Sequence, residues 1–564
     1  MLWDALAWFT VMFPFFTGGV WIRRSGLKLE LTQIDAQVFA LVVIALLLWR
    51  VRGISVTEAS SVRVLLKIWR SWSRLVGRRP HAALWGAGIF TGTLLALVGL
   101  RRHWAFHSGA ADLGIFTNVI WNLTHGNGYV SSVKDGINLF TDHQSPVLWT
   151  LAPLFALLPR AETLLVVQGF GLALGALPMY MLARQHLPGR PAFAAALPLL
   201  YWAYLPTRNA NAFDFHPEVF ILPCFLAAIA FLQAAGRGAR GAGFVFLLLA
   251  LAGKESSGPL AAGLGVAWLL GAGPEGTRRF TRRLGAALVP VGIGLFVFDL
   301  KLVPRLMGGG DYPYNAQYSD FGGGSVGAIL LAPLTHTKLF FSRLFGVARL
   351  KFVLALVGPL GFLPFVGWRP LVASVPCFMM LFLTEGDHRI SPAYHYSIEP
   401  SVGLLWAVPV ALAALLTGAW SRFFTEKRLL IWLAAFAFLF FGRSELYRIR
   451  YFSPDSHMDW MRREFLPAVA PEAAVSATGA LVPHLAARHW AHHHPKLMMP
   501  GGGTVDCVIY DPALNQWPLA TGAAGPFFEE VRSRGFTELW RCRDVVVYSR
   551  PGGRPCLQRR PECY

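Results

Sequence analysis

The feature that most constrains this chain is a series of apolar stretches long enough to cross a bilayer, recurring from residue 1 to about residue 443. A hydrocarbon core asks for roughly 20 apolar residues per helix. Lipid offers no partner for an open backbone N–H or C=O, so the stretches must be helical. Candidate spans are 2–21, 36–50, 82–100, 162–182, 191–206, 217–235, 241–253, 257–272, 284–303, 348–366, 370–384, 395–417 and 428–442, with a further apolar piece at 146–158 read as half-inserted. Only 15% of the residues are charged and 54% are hydrophobic, whereas a soluble domain carries about 25% charged residues. The expectation is an all-α polytopic membrane protein with roughly 11–13 transmembrane helices.

The net charge of +20 does not imply nucleic acid. The arginines fall in short loops between spans, where they fix orientation. Residues 60–79 carry Lys67, Arg70, Arg74, Arg78 and Arg79 and are placed inside. Every second loop after that is then basic: Arg184 and Arg190; Arg237 and Arg240; Arg278, Arg279, Arg282 and Arg283; Arg369; Arg422, Lys427 and Arg428. Keeping this alternation requires 241–272 to be two short helices turning at GKESSGP, with Gly253, Gly258 and Pro259 as breakers. The intervening loops hold carboxylates and histidines and face outward. The N-terminal pair of stretches fits two spans, or a shallow hairpin followed by a basic amphipathic helix at 60–76.

Three regions are expected. Residues 1–80 are a hydrophobic extension with a basic amphipathic segment; 81–443 are the transmembrane domain with a large first outer loop, 101–145; 444–564 are a small extracytoplasmic α/β domain. In the last, AAVSA, VDCVIYD and DVVVYSR read as strands, and ALVPHLAAR and FFEEVRSRG as helices. Cys507, Cys542, Cys556 and Cys563 allow one or two disulfides in an oxidising compartment, while Cys224 and Cys377 lie in spans and pack. His489 and the run His492–His494 could bind a metal, but an exposed polar stretch is the expectation, since no carboxylate or cysteine stands at ligand spacing. The glycine runs at 308–310 and 322–324 make 305–345 a flexible loop suited to a lid. No glycine run follows a strand and opens a helix, so no nucleotide loop is present.

The outer loops carry the residues able to do chemistry. Asp112 sits in the apolar run AADLGIFTNVIW. It suits a general base whose proton affinity is raised by desolvation, or a helix N-cap. Asp142 and His143 precede Ser145–Pro146 and can orient a phosphate, relay a proton or start a helix. Asp214, His216 and Glu218 alternate and share one side of an extended segment. They could hold a divalent metal, bind substrate hydroxyls or cap the helix at Pro217. Lys254 and Glu255 lie between two apolar stretches, where ionisable groups are functional by default; an ion pair at a turn is the alternative. Arg389 and His395, near His388 and Glu399, could stabilise a phosphate leaving group.

ADLGIFTNVIWNLTHGNGY, DHQSPVLWTLAPLFALLP, DFHPE, AGKES and YHYSIEP, in this order, resemble a bacterial and archaeal family of predicted multi-pass membrane proteins that groups with the GT-C glycosyltransferases. The resemblance runs from about residue 80 to about 510. It implies a GT-C-like plan and transfer of a sugar from a polyprenyl-phosphate-linked donor to an acceptor hydroxyl at the outer face of the cell (inner) membrane. Asp112 matches the acidic residue of the first outer loop. Many relatives pair it with a second acidic residue, whereas here Ala111 and Leu113 flank it. In this reading Asp112 is the general base. His143, Lys254, Arg389 or His395 stabilises the leaving phosphate, and Asp142, Asp214, His216, Glu218 and Glu255 complete the substrate site. Implied partners are the lipid donor and the bilayer, with no nucleic acid; the acceptor and any divalent metal are left open. The alternative is a transporter or flippase of a lipid-linked or polymeric substrate, which predicts polar residues near the midplane and broken helices in repeated halves.

Overall fold

The computed structural model describes residues 19–24, 27–32, 60–321, 326–441, 452–520 and 522–563. The stretch 36–50, nearly all of 2–21 and the glycine run 322–324 lie outside the described residues. Strands β1 (Gly19–Arg24) and β2 (Leu27–Thr32) pair antiparallel, as do the short β3 (Val130–Ser131) and β4 (Ile137–Asn138) of the 101–145 loop.

The transmembrane part is helical. Ser60–Arg78 (α1) leads through Arg79, at φ −140° and ψ 65°, into Pro80–Trp104 (α2), with Pro80 at its first position. Proline is tolerated there because the first-turn N–H has no intrahelical partner. Ile115–Thr124 (α3) and Val147–Leu157 (α4) follow, then Ala161–Leu174 (α5), Ala176–His186 (α6), Pro191–Ala203 (α7) and Leu205–Ala212 (α8). Next come Ile221–Leu232 (α9), Arg237–Leu251 (α10), Ser257–Leu269 (α11) and Arg278–Val297 (α12).

By length and composition, three helical stretches among the described residues can cross a bilayer unaided: Pro80–Trp104, Ala161–His186 and Glu275–Leu306. The remaining apolar helices, such as Ser257–Leu269 and Ser401–Thr417, are shorter. The expectation of 11–13 full spans therefore meets a bundle with many broken helices. The breaks have sequence causes. A new helix with Pro206 in its first turn begins at Leu205, inside the expected span 191–206, and Gly358, Pro359 and Gly361 (φ +62°) interrupt 348–366.

The two-helix reading of 241–272 agrees with α10 and α11, which are separated by a turn at 252–256. The close contacts run outward from that turn, α10 against α9 and α11 against α12. On α11, a Cβ at Gly265 would stand 2.7 Å from the Gly285 carbonyl oxygen of α12. Small residues let these two backbones approach, as is common where helices pack in lipid.

Segment 305–345 is largely helical among its described residues. It contains a 3₁₀ run at Pro313–Phe321 and helices at Val326–Thr335 and Thr337–Leu344. Tyr318 donates to the Met380 carbonyl (2.9 Å), and the Glu385 N–H donates to the Gln317 carbonyl (2.8 Å). Apolar residues such as Phe321, Ala332 and Phe340 cluster together, with Leu383. They give the segment a core that glycine content alone does not suggest.

Near the C-terminus, β5 (Val475–Ala477), β6 (Ala491–His493), β7 (Cys507–Tyr510), β8 (Thr537–Cys542) and β9 (Val545–Ser549) form one mixed sheet in the order β6-β5-β7-β9-β8. β5 runs parallel to β6 and β7, and β9 runs antiparallel to β7 and β8. Successive side chains point to opposite faces. Val508 packs with Phe527 and Val531 of helix Ala524–Ser533, while Val475, Ile509 and Val547 join the core shared with the membrane part. Disulfides Cys507–Cys556 and Cys542–Cys563 tie the tail to β7 and β8, leaving Cys224 and Cys377 as thiols.

The exposed reading of the histidine run is corrected. His492 and His494 are fully buried, and β6 carries Ala491–His493. Pairing with β5 buries them, a cause that lies 16 residues upstream, at Val475↔Ala491.

The sheet domain docks on the 101–145 loop. Asn118 donates to the Ala486 and Arg488 carbonyls (3.2 and 2.7 Å), the Ala491 N–H donates to Ser132 Oγ (2.9 Å), and Lys496 pairs with Asp135 (2.6 Å).

Candidate active site

A cleft opens beside the 101–145 loop, lined by residues of that loop and of the helical part. It is built from chain breaks. After α2, residues Ala110–Gly114 make one π-helical turn that runs straight into α3 and carries Asp112. Such single-turn bulges re-aim a side chain out of the helical register. Extended residues after α8 carry His216, and the 3₁₀ turn Pro217–Phe220 carries Glu218. The α10–α11 turn carries Lys254 and Glu255. Two further 3₁₀ turns, His388–Ile390 and His395–Ser397, carry Arg389 and His395.

Asp112 Oδ1 lies 3.1 Å from His216 Nε2. His216 Nδ1 lies 3.1 Å from the Asp214 carbonyl oxygen, so that nitrogen must carry a proton. With Nε2 facing a carboxylate, the pair holds either an imidazolium and a carboxylate or one proton shared between them. Asp112 and His216 also differ in access. The Asp112 side chain is 32% exposed, while Asp214 and Glu218 are 2% and 4% exposed. Of these three carboxylates, Asp112 is the one that can meet a substrate.

Glu218 Oε1 accepts from Lys254 Nζ (2.8 Å) and stands 3.0 Å from His395 Nε2. The His395 ring stacks on His216 with centroids 3.6 Å apart. Glu255 binds His143 Nδ1 (3.2 Å), the Tyr312 hydroxyl (2.5 Å) and the Gln144 N–H (3.1 Å). Asp142 pairs with Lys134 (2.5 Å). Asp214 stands behind Asp112, paired with Arg102 and accepting from the Gly109 N–H at 2.7 Å.

The structure thus brings Asp112, Asp142, His143, His216, Glu218, Lys254, Arg389 and His395 to one cleft, with Asp214 and Glu255 behind its wall. Alternation does not aim Asp214, His216 and Glu218 at one ligand. Asp214 is drawn away to Arg102. Sequence reasoning missed Lys134, Tyr314 and Tyr396, which line the cleft, and Tyr312, which buttresses Glu255. The only signal was a cluster of tyrosines in two glycine- and proline-bearing loops.

Charges inside the cleft are matched in pairs, with one exception. Arg389 has no carboxylate partner among the described residues. Its guanidinium lies 5.5 Å from the ring centres of both Tyr314 and Tyr396, and its Nε has no hydrogen-bond partner. A guanidinium held between aromatic rings keeps its charge and its planar donor fork for an incoming anion.

The electrostatics follow from these contacts. Burial opposes the charge on Asp112, but the hydrogen bond and charge of His216 outweigh it and hold the carboxyl below its ordinary value. Burial likewise opposes charge on His216, and Asp112 overcomes it, raising the imidazole. Burial pushes Glu255 up, and His143, Lys254 and Tyr312 bring it down to about 2. Lys254 is raised despite its burial, because Glu218, Glu255 and Glu399 surround it. Burial, with the charge of His216, lowers His395 to about 4, leaving it neutral.

His216, Glu218 and His395 bring three ligand atoms within 4.8 Å of one another, a donor set suited to a divalent transition metal. The Lys254 ammonium already sits on the Glu218 oxygen such an ion would use. The residues present therefore fit a metal poorly, and Lys254 supplies the internal positive charge instead.

Comparison with solved structures finds ArnT from Cupriavidus metallidurans bound to undecaprenyl phosphate, at 13% identity and TM-score 0.44, covering 82% of this chain and 97% of that one. It also finds the Archaeoglobus fulgidus oligosaccharyltransferase in the apo form, at 11% identity and TM-score 0.39, covering 72% and 64%. AglB from the same archaeon, in complex with an inhibitory peptide and a dolichol-phosphate, matches at 10% identity and TM-score 0.36, covering 75% and 69%. No curated protein matches the sequence. The predicted membrane protein family DUF2079 matches residues 102–540, which hold every residue of the cleft, and the chain belongs to that family.

Proposed function

We propose that this protein is a membrane glycosyltransferase that moves a sugar from a polyprenyl-phosphate donor to an acceptor hydroxyl at the outer face of the membrane. The observation that carries this reading is the opposition, in one cleft, of a hydrogen-bonded Asp112–His216 pair and an unpaired Arg389 held between two tyrosines. The resemblance of the sequence motifs to GT-C enzymes points the same way. A base facing an anion site is the arrangement that displacement of a phosphate at a sugar carbon requires.

In this mechanism Asp112 Oδ1 stays on His216, and Oδ2 takes the proton of the acceptor hydroxyl. The acceptor oxygen bonds to the anomeric carbon as the carbon–oxygen bond to phosphate breaks. The electron pair of that bond leaves on the phosphate, which Arg389 receives with help from Lys254. Glu218, Glu255 and His143 hold the cations and the ring in place. Asp142 anchors Lys134 at the rim. Trp149, Leu154 and Leu157 of α4, the helix that follows Asp142 and His143 in the chain, are exposed and suit an isoprenoid tail.

The outer placement rests on two independent supports. The basic loops fall on the other side of the membrane part, and both disulfides lie in the sheet domain, as an oxidising compartment favours. On the same grounds we assign residues 1–80, 81–443 and 444–564 as extension, transmembrane domain and extracytoplasmic domain.

The test supplies radiolabelled polyprenyl-phosphate sugars to membranes containing the wild type or Asp112→Asn. Undecaprenyl phosphate, which the ArnT structure contains, is the first carrier to try. Transfer by the wild type alone supports the reading. Equal transfer by both removes Asp112 from the chemistry, and no transfer by either across many donors favours a transporter.

A further inference from the structure

Helix α1 lies outside the cleft and outside the family-matched region, 102–540, and its surface divides into three faces. At roughly 100° per residue, Arg63, Lys67, Arg70, Arg74 and Arg78 occupy one arc of about 80°. Trp69, Trp72 and Val76 occupy another and face protein. Val76 is buried with Ala83 and Ala195, and Trp72 Nε1 donates to the Ala195 carbonyl of α7 (2.8 Å). Between these two arcs runs an apolar ridge. Val64, Ile68 and Leu75 are 54%, 60% and 46% exposed.

A water-facing helix has no use for that ridge, and a transmembrane helix has no use for the arginines. A helix at the bilayer surface uses both: the ridge enters the acyl boundary and the basic arc meets the headgroups. The chain supplies the geometry for this. The non-helical Arg79 separates α1 from α2, a 25-residue span that Pro80 opens, so α1 leaves from the membrane-surface end of α2. No acidic residue interrupts α1. With five cations on the arc, charge complementarity selects an anionic surface over a zwitterionic one.

We propose that α1 is an anionic-lipid docking helix on the side of the membrane opposite the cleft, recognising the headgroup layer through Arg63, Lys67, Arg70, Arg74 and Arg78 and inserting the Ile68 ridge. The proposal is independent of the reaction assigned to the cleft.

The test uses the full-length protein in vesicles of phosphatidylcholine alone or with phosphatidylglycerol added, carrying a nitroxide at Ile68→Cys. In anionic vesicles the label is expected to collide with oxygen in preference to a water-soluble nickel chelate, at headgroup depth. Neutralising Lys67, Arg70 and Arg74 to Gln is expected to lower the phosphatidylglycerol retained in native mass spectra, by roughly fivefold in affinity per charge removed at low salt. The same triple change at Arg278, Arg279 and Arg282 serves as the control for general loss of basic charge. Preference for the nickel chelate in both vesicle types overturns the proposal, as does a label shielded from both probes, which would mean that protein covers the ridge. Equal lipid retention by the two triple variants also overturns it.

Discussion

His216 Nε2 lies 3.1 Å from Asp112 Oδ1, and its other ring nitrogen is fixed as a donor by the Asp214 carbonyl 3.1 Å away. One oxygen of Asp112 is thereby held, while its side chain stays 32% exposed at the cleft. If Asp112 is the base, Asp112→Asn should cut sugar transfer by about 10²–10⁴-fold, the usual worth of a positioned base. Donor binding should be nearly unchanged, because Arg389 is untouched. Transfer rates measured beside equilibrium binding of the lipid phosphate separate the two effects.

The same pair sets a pH dependence. Asp112 is held below 3.8 and His216 is raised above 6.5. A lowered carboxyl adds stability that is present above its unfolded value and is lost as pH falls through the folded one. A raised imidazole adds stability that is present below its unfolded value and is lost as pH rises through the folded one. The pair therefore stabilises most between 3.8 and 6.5, and its contribution fades on the alkaline side as pH rises from 6.5 through the raised value of His216. His216→Gln should flatten that alkaline decline in the melting temperature. It should also move the acid limb of transfer to higher pH, because burial then meets less opposition at Asp112, only Arg102 and His395 still countering it. An unmoved acid limb would show that His216 does not tune the base.

Much of this cleft was legible in the sequence because charged residues at the ends of apolar helices have few reasons to be there. Asp112, His216, Lys254 and Arg389 stood out against apolar neighbours, and the alternation of basic loops put them on one side. The aromatic wall was not legible. Tyr312 and Tyr314 sit beside a glycine run with no periodic pattern, and their role depends on contacts with Glu255, His143 and Arg389 far away in the chain. Strand β6 was hidden for a similar reason. Its histidines carry no apolar alternation, and their burial comes from pairing with Val475–Ala477. Local pattern reports which face a residue takes within its own element; it is silent where a distant partner decides.

Arg389 should answer to shape as well as charge. Arg389→Gln should raise the apparent KM for the phosphate donor by about 10–100-fold, matching the ~1.5–3 kcal/mol of a charge-assisted hydrogen bond. Arg389→Lys should restore little, since an ammonium cannot lie flat between Tyr314 and Tyr396 or offer a planar fork. Full rescue by lysine would reduce the site to a point charge.

Lys254 is expected to matter for folding before catalysis. It neutralises Glu218 and sits among Glu255 and Glu399. Removing one partner of a buried pair costs about 3–5 kcal/mol, so Lys254→Met should lower the melting temperature sharply and reduce yield. Lys254→Met with Glu218→Gln should recover part of that loss, because the orphaned carboxylate goes too. Thermal unfolding of the three variants in one detergent checks this. Additive losses would mean that the two side chains are not coupled.

The two disulfides give a direct test of which way the cleft faces. Cys507 and Cys556 are buried as a pair under the tail, and Cys542 and Cys563 join β8 to the last described residue. If the sheet domain lies outside the membrane, a membrane-impermeant maleimide should leave Cys563, the exposed member of the four, unlabelled in intact cells until a reductant is added, and then label it. Cys224 and Cys377 lie in apolar helices and should stay unlabelled in both states, so they serve as internal controls. Because Asn118 and Ser132 bind this domain directly to the loop that carries Asp112, labelling that appears only after permeabilisation would move the cleft to the inner face. It would reverse the orientation drawn from the basic loops.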